Sequence, residues 1–367
     1  MTTHLDILII GGGISGLLTA RELRLAGREV AILDKSRPGL ESSWAGGGIL
    51  LPIYPWRQAA AISALTIASL KQYPGLSQEL LAATGIDPQW LACGMLICKN
   101  PDHAQARQWC EHYGIAHQAA PPALTAPFHT ACQHPLWLPE IAQARNPRLL
   151  KSLQAYLKQA GVSFIDNADL TNINIAGHRV ASVETTEHSY TLKQLIISAG
   201  AWTTDLMQAL LPAWPLDLHI KPVRGQMLLF DAMPDTLPYM VLDGDQYLIP
   251  RRDGKILAGS TVEQAGFAKL TTEDAKQQLY QFAVELLPAL KDYPLSHHWA
   301  GLRPGSPQGI PTIGRHPDIE NLSINAGHFR NGLVMGPASA KLLADLILQR
   351  PTDIDPSPYS PTRATTP

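Results

Sequence analysis

Ile7-Leu8-Ile9-Ile10-Gly11-Gly12-Gly13-Ile14-Ser15-Gly16 reads as a short apolar strand that runs into a GxGxxG turn and then a helix ending near Gly27. Each glycine has a separate task in such a turn. Gly11 permits the tight bend, Gly13 lets backbone approach a phosphate, and Gly16 lets helix pack closely on strand, while the positive end of the helix faces the anion. The next strand, 29–33, ends in Asp34, placed to accept the ribose hydroxyls of an adenosine half and to repel a 2′-phosphate. That sets NADP aside and leaves FAD and NAD open.

The 367 residues suffice for two domains or one elaborated one, and the formal net charge is only −2. Without a basic field or a clustered Lys/Arg run, nucleic acid is excluded as a partner and a small-molecule client is expected. The apolar stretch at 7–10 is too short for a membrane span and has neither the basic leader nor the cleavage site of a signal peptide. Cys93, Cys98, Cys110 and Cys132 lack CxxC spacing and matching histidines, which argues against a metal site and fits a reducing, cytoplasmic setting.

Further along, Glu41-Ser-Ser-Trp-Ala-Gly-Gly-Gly-Ile-Leu50 carries three consecutive glycines whose amides no side chain covers, which suits contact with a planar ring or a phosphate. Helical periodicity covers 59–83 and 147–159, with a short strand at 162–165. The apolar run 195–200 is a buried strand ending in Ser198-Ala199-Gly200, and Trp202 opens the next helix. Between 220 and 260 the pattern becomes short alternating strands at 222–230, 239–242, 246–250 and 255–259, with Asp243-Gly244 and Asp253-Gly254 as turns: an antiparallel meander. A helix over 272–290 opens at Thr271 and Asp274 with capping-box spacing. A strand at 322–325 leads into a second loop-to-helix turn at 326–332 and a helix through Leu348. The Pro- and Thr-rich end is expected to lack fixed structure, so that the fold stops near Arg350.

The dinucleotide turn, the mid-chain Ser198-Ala-Gly200 and the Gly327-His-Phe-Arg-Asn-Gly332 cassette together resemble the D-amino acid oxidase superfamily of flavoproteins. More narrowly, Ser42-Ser-Trp-Ala-Gly-Gly-Gly-Ile49, Arg145-Asn-Pro-Arg148, Gln246-Tyr-Leu-Ile-Pro-Arg251, Trp299-Ala-Gly-Leu-Arg-Pro-Gly305 and Ile313-Gly-Arg-His-Pro317 resemble the glycine oxidases of thiamine biosynthesis. The resemblance spans almost the whole chain. It implies an α/β fold: a Rossmann-type FAD-binding domain from residues 1–88, 143–217 and 297–350, an antiparallel-sheet substrate domain from 89–142 and 218–296, and a flexible tail over 351–367.

The same resemblance implies FAD rather than NAD, held noncovalently because no cysteine lies in the last third of the chain, where related amine oxidases attach it. Beside the glycine turn of Gly11, Gly13 and Gly16, Ile14 and Ser15 would contact the pyrophosphate, with Asp34 and Lys35 at the ribose. Ser42, Ser43, Gly47, Gly48 and Ile49 would line the path to the flavin, Leu170 would meet the adenine, and Ala199 with Gly200 would lie against a ring. His328, Phe329, Arg330, Asn331, Gly332, Leu333 and Val334 would wrap the pyrimidine of the flavin.

The chemistry implied is oxidation of a small amino acid, glycine first, by way of molecular oxygen, with peroxide, glyoxylate and ammonia as products. Such a substrate needs a carboxylate clamp. Arg303, flanked by turn residues, offers a bidentate fork, Tyr247 a hydroxyl for the same carboxylate, and Arg330 a second guanidinium near the flavin. Leu51, Asp245 and Val262 would border the side-chain end of the substrate. His297 and His298 read as structural. Two rival readings remain, a D-amino acid dehydrogenase of the same superfamily and a non-catalytic FAD-binding redox sensor. A homo-oligomer stays open.

Overall fold

In the computed structural model, residues 2–99, 101–128 and 134–363 are described, and Cys132 and the last four residues lie outside them. The two sheets expected from the sequence are present. In the first, the strands run in the order Thr312–Arg315, Leu322–Ala326, Ser189–Ile197, Thr2–Ile10, Val30–Leu33 and Ser163–Ile165. All neighbours pair in parallel except the first two. The hairpin Leu170–Ala176 and Arg179–Thr185 adds to Ser189–Ile197 from the side.

Period-two alternation explains why these strands are continuously apolar. Ile7, Ile9, Val30, Ile32 and Ile196 join one core, while Leu8, Ile10, Ala31, Leu33, Leu195 and Ile197 join another on the opposite face. A parallel sheet covered on both sides has no polar face to alternate with. The helices Ile14–Leu25, Asn146–Gln159 and Gly332–Ile347 cover the first of these faces.

The second sheet runs Leu295–Gly305, Lys221–Phe230, Ile256–Gly259, Gln246–Pro250, Met240–Asp243, Met95–Ile97, Leu136–Leu138 and Gln118–Ala119. One face packs Leu228, Phe230, Leu248 and Ala258 under the helix Glu273–Leu286. The other carries Met227, Tyr247, Ile249 and Leu257.

Four expectations need correction. Arg303 does not sit among turn residues: Leu295–Gly305 is one strand, with Arg303 opposite Val223 and Pro304 opposite Pro222. It is the edge strand, where a proline removes no ladder bond. Residues 297–305 therefore belong with the antiparallel sheet rather than with the first unit. The helix expected over 59–83 is two, Ala60–Leu70 and Tyr73–Thr84, because Pro74 fits only a first turn. The cap of the later helix is Thr272, whose hydroxyl accepts from the Ala275 amide, one residue beyond the expected Thr271.

The tail is the fourth. Tyr359 is 1% exposed and donates its hydroxyl to the Ala61 carbonyl at 2.7 Å. Arg363 donates to the carbonyls of Ile310 and Pro311 at 2.9 and 3.0 Å. A single buried aromatic of this kind contributes about 1.5–3 kcal/mol, and with the Arg363 bonds it anchors a Pro-rich segment whose composition alone predicts disorder.

Candidate active site

One cavity of about 510 Å³ runs between the carboxyl ends of the parallel strands and the second sheet. That volume lies within the range typical of organic-ligand sites. Its first end is made by the glycine turn. The Gly11 amide donates to the Leu33 carbonyl at 2.8 Å, and Gly11 has φ +103°. A Cβ there would stand 2.4 Å from the Ser198 carbonyl oxygen, and one on Gly16 would stand 2.0 Å from the Gly11 carbonyl oxygen. Gly16 thus acts by packing and does not line the cavity, whereas Gly11, Gly13, Ile14 and Ser15 do. The Ile14 amide donates to the Ser43 hydroxyl at 2.9 Å, which fastens the 41–49 segment to the start of the helix.

Asp34 is already engaged by the chain. Its Oδ2 accepts from the Gly12 amide at 2.7 Å and its Oδ1 from the Ser36 amide at 2.9 Å. Oδ1 also accepts from the Ser36 hydroxyl at 3.2 Å, so it is the second lone pair of Oδ2 that leaves Asp34 capacity for a hydroxyl donor while it braces the turn. The Lys35 ammonium stands 3.3 Å from the centre of the Trp202 ring, and burial, partly offset by Glu41 and Asp34, pulls it below its ordinary pKa. Leu170, at the start of its strand, Ala199 and Gly200 line the same cavity. The sequence reading missed Trp202 and Leu206 in this wall, since only the helix that they open was legible.

At the other end the strand register does the positioning. Met227 pairs with Trp299 and with Gly259, and Gly259 pairs with Tyr247. Counting in twos along the edge strand, Trp299, Gly301 and Arg303 share that face, as do Gly225 and Val223 opposite them. Arg303 and Tyr247, 56 positions apart in sequence, therefore come to one face from two different strands. Glycine clears the room: a Cβ on Gly225 would lie 2.2 Å from the Arg303 guanidinium, and one on Gly259 would lie 2.9 Å from the Tyr247 ring. Gly225 and Met227 line the cavity and were missed, because an in-strand glycine acquires meaning only once its cross-strand partner is known.

Arg303 is held by neutral groups. It donates to the Thr261 carbonyl at 3.0 Å and to the Ser260 hydroxyl at 2.8 Å, with a weaker bond to the Arg224 carbonyl at 3.4 Å. Among the described residues no carboxylate lies within ion-pairing distance of it. Glu263, the acid whose field reaches it, is bound by Arg224 at 2.9 Å. Burial pushes the Arg303 guanidinium below its usual value, an effect that the neighbouring Tyr247 offsets in part and Arg330 deepens. Arg330 lies nearer the rim, its Nη1 3.9 Å from the exposed Asp245 carboxylate.

His328, Phe329, Asn331, Gly332 and Leu333 complete the wall, while Val334 sits beneath it in the helix core. Burial pushes the His328 imidazole down to about 4, so it is neutral at pH 7. Its Nδ1 lies 3.5 Å from the Ser15 hydroxyl and its Nε2 has no partner among the described residues. Ser42, Ser43, Gly47, Gly48, Ile49 and Leu51 also line the cavity; Val262 does not and is half exposed.

The chain matches the FAD dependent oxidoreductase family over residues 6–346. It is 43% identical over 364 residues to a glycine oxidase of Pseudomonas aeruginosa, covering 97% of this chain and 98% of that one. It is 31% identical to the bifunctional protein ThiO/ThiG of Trichormus variabilis over 95% of this chain, which spans 53% of that protein. The crystal structure of a glycine oxidase from Geobacillus kaustophilus superposes with a TM-score of 0.92 at 25% identity, covering 99% of this chain and all of the other.

Proposed function

This chain belongs to the FAD-dependent oxidoreductase family, and from that premise we propose that it oxidises glycine, together with sarcosine and small D-amino acids, to the imine. Water then hydrolyses the imine to glyoxylate and ammonia, or the imine feeds thiazole formation in thiamine biosynthesis. FAD, when bound, supplies the two-electron acceptor that molecular oxygen regenerates, with hydrogen peroxide as product. Among the described residues no helix is long and apolar enough to cross a membrane. We place the enzyme in the cytoplasm, a reading supported by Cys93 and Cys110, which are free thiols among the described residues.

The residues present fit that cofactor. Gly11, Gly13, Ile14 and Ser15 would hold the pyrophosphate at the helix N-terminus, Asp34 and Lys35 the ribose, Leu170 the adenine, and 328–333 the flavin with Ser42, Ser43 and 47–49 opposite. The unpartnered Nε2 of His328 and the uncovered glycine amides are the polar groups that such a ligand would satisfy.

The observation that carries the substrate class is Arg303: a half-buried guanidinium facing the cavity with only neutral acceptors around it. Burying an unpaired cation is costly, and a substrate carboxylate repays that cost through two parallel hydrogen bonds. Tyr247 would close over the same carboxylate. With the carboxylate fixed, the α-carbon has one position over the ring and one face of the substrate is presented, which favours glycine and D-amino acids over L-amino acids with larger side chains. Arg330, already leaning on Asp245, would contribute a longer-range attraction at the entrance.

The test is an anaerobic screen of the yellow protein against glycine, sarcosine, D-alanine and L-alanine, followed by admission of oxygen. Bleaching by the first three with peroxide formed on reoxidation is the expected result. Equal bleaching rates with the two alanines would show that the carboxylate is not held as described. Acid precipitation should leave the flavin in the supernatant.

A further inference from the structure

Arg251, in the Gln246-Tyr-Leu-Ile-Pro-Arg motif, is absorbed by none of the roles above, yet it is a buried guanidinium, 8% exposed, with only neutral partners. Its Nη2 donates to the Gly47 carbonyl at 2.8 Å; its Nη1 donates to the Gln143 side-chain oxygen and, at 3.4 Å, to the Ala144 carbonyl. The nearest acid, Asp253, is taken by Arg145 at 2.8 Å. Burial pushes Arg251 down to about 9, so it remains a cation at neutral pH.

Unlike Arg303, it does not line the cavity; it stands behind the glycine loop that does. A trans peptide points its N–H opposite to its C=O. Fixing the Gly47 carbonyl on Arg251 therefore fixes the Gly48 N–H in the opposite direction. The Gly48 carbonyl is in turn taken by the Ala144 amide at 2.9 Å, while the amides of Gly47 and Gly48 have no protein acceptor among the described residues. This happens at the reacting end of the cavity: a Cβ on Gly47 would stand 3.3 Å from the Tyr247 ring and 3.4 Å from Met227.

We propose that Arg251 is a positioning residue that aims the Gly48 amide into the cavity, so that a fixed donor backed by a buried positive charge faces the cofactor ring where negative charge develops on reduction. The proposal rests on reading this cavity as the FAD site with its redox-active ring beside Tyr247. A guanidinium behind a peptide polarises that peptide and cannot drift, whereas solvent would do neither.

Sulfite, which adds to oxidised flavins and leaves negative charge on the ring, is the probe. Holoenzymes carrying Arg251→Met and Arg251→Lys are titrated with sulfite by loss of flavin absorbance, and their midpoint potentials are measured. Arg251→Met is expected to weaken sulfite binding at least tenfold and to lower the two-electron potential correspondingly by about 30 mV, with FAD still bound. Arg251→Lys, which keeps the charge but not the fork, should fall between. A purely structural role would lower the melting temperature and leave sulfite affinity unmoved. Sulfite affinity within twofold of wild type in FAD-loaded Arg251→Met overturns the proposal. Should that variant fail to fold, Arg251→Lys decides alone: at least threefold weaker sulfite supports the positioning role, and wild-type affinity overturns it. Wild-type protein that binds no FAD would instead overturn the cofactor reading beneath it.

Discussion

At one end of the cavity the wall is backbone of the glycine turn, at Gly11, Gly13, Ile14 and Ser15, with one carboxylate at the end of the next strand. At the other it is made by the side chains of Tyr247, Arg303 and Arg330, brought together from two strands and a loop. On the proposed reading the first end would hold a constant ligand part through geometry that any sequence with the right glycines reproduces. The second must discriminate one small molecule from another, so it depends on side-chain chemistry and on glycines that leave room for it. Loss of one side chain should therefore be felt more sharply at the second end than at the first.

The largest effect is expected at Arg303. Removing one partner of a buried charge pair costs about 3 to 5 kcal/mol, and each 1.36 kcal/mol is about tenfold. Arg303→Ala should then lower kcat/KM for glycine by about a hundred- to several-thousand-fold, with a nearly normal flavin spectrum. Arg303→Met should melt no lower than wild type without substrate, since a partly buried cation without a counter-charge gives way to an apolar chain. Retention of more than about a tenth of wild-type kcat/KM in Arg303→Ala, a loss below about 1.4 kcal/mol, would remove Arg303 as the clamp and erase the contrast between the two ends.

His328 lies between the ends and reports through pH. Its pKa is about 4 in the folded chain against 6.5 for the free group, so between those values the unfolded chain binds more protons. Stability from this residue is fully present above pH 6.5 and is lost as pH falls toward 4, by up to about 3 kcal/mol at about 1.36 kcal/mol per unit. Denaturant unfolding of wild type and His328→Gln at pH 7 and pH 4 should show this part of the acid loss only in wild type. Parallel losses in both would mean that the imidazole is not held neutral.

Gly225 tests placement without touching charge. A Cβ there meets the end of the flexible Arg303 side chain at 2.2 Å, so the fork moves and the sheet does not have to. Misplacement by about 1 Å can cost about a hundredfold, and Gly225→Ala should approach that in kcat/KM while FAD affinity stays at the wild-type level. Activity equal to wild type would place the clamp elsewhere.

The same contrast explains what the sequence could disclose. The turn at Gly11 was legible because strand, glycines, helix and Asp34 are neighbours in the chain and each choice has a local steric reason. The meander strands were legible from alternation and Asp-Gly turns. The edge strand 295–305 was only half seen: Pro304 and Gly305 imitate a turn, and only pairing with Lys221–Phe230 makes them a strand. Arg303 and Tyr247 were named through family resemblance, whereas their shared face follows from a register that no local pattern encodes. Gly225 and Met227 were missed for that reason. Tyr359 was missed because composition describes a segment and not the groove into which it docks.

Asp34 and Asp245 bring the comparison down to one residue type, an aspartate at each end. Asp34 accepts from two backbone amides of its own turn, and a charged hydrogen bond of this kind is worth about 1 to 3 kcal/mol. Asp34→Ala should weaken FAD binding by about five- to 150-fold, with kcat restored by excess FAD; unchanged affinity would remove it from the site. Asp245 has its side chain 82% exposed and only a 3.9 Å approach to Arg330. Pairs of that sort are worth about 0 to 1 kcal/mol. Asp245→Asn should therefore change KM for glycine by less than about fivefold, and in the direction of a lower KM, because Arg330 is released from its only acidic neighbour among the described residues. A rise in KM well beyond fivefold would show that Asp245 orients Arg330 rather than screening it, and that the rim belongs with the built part of the site.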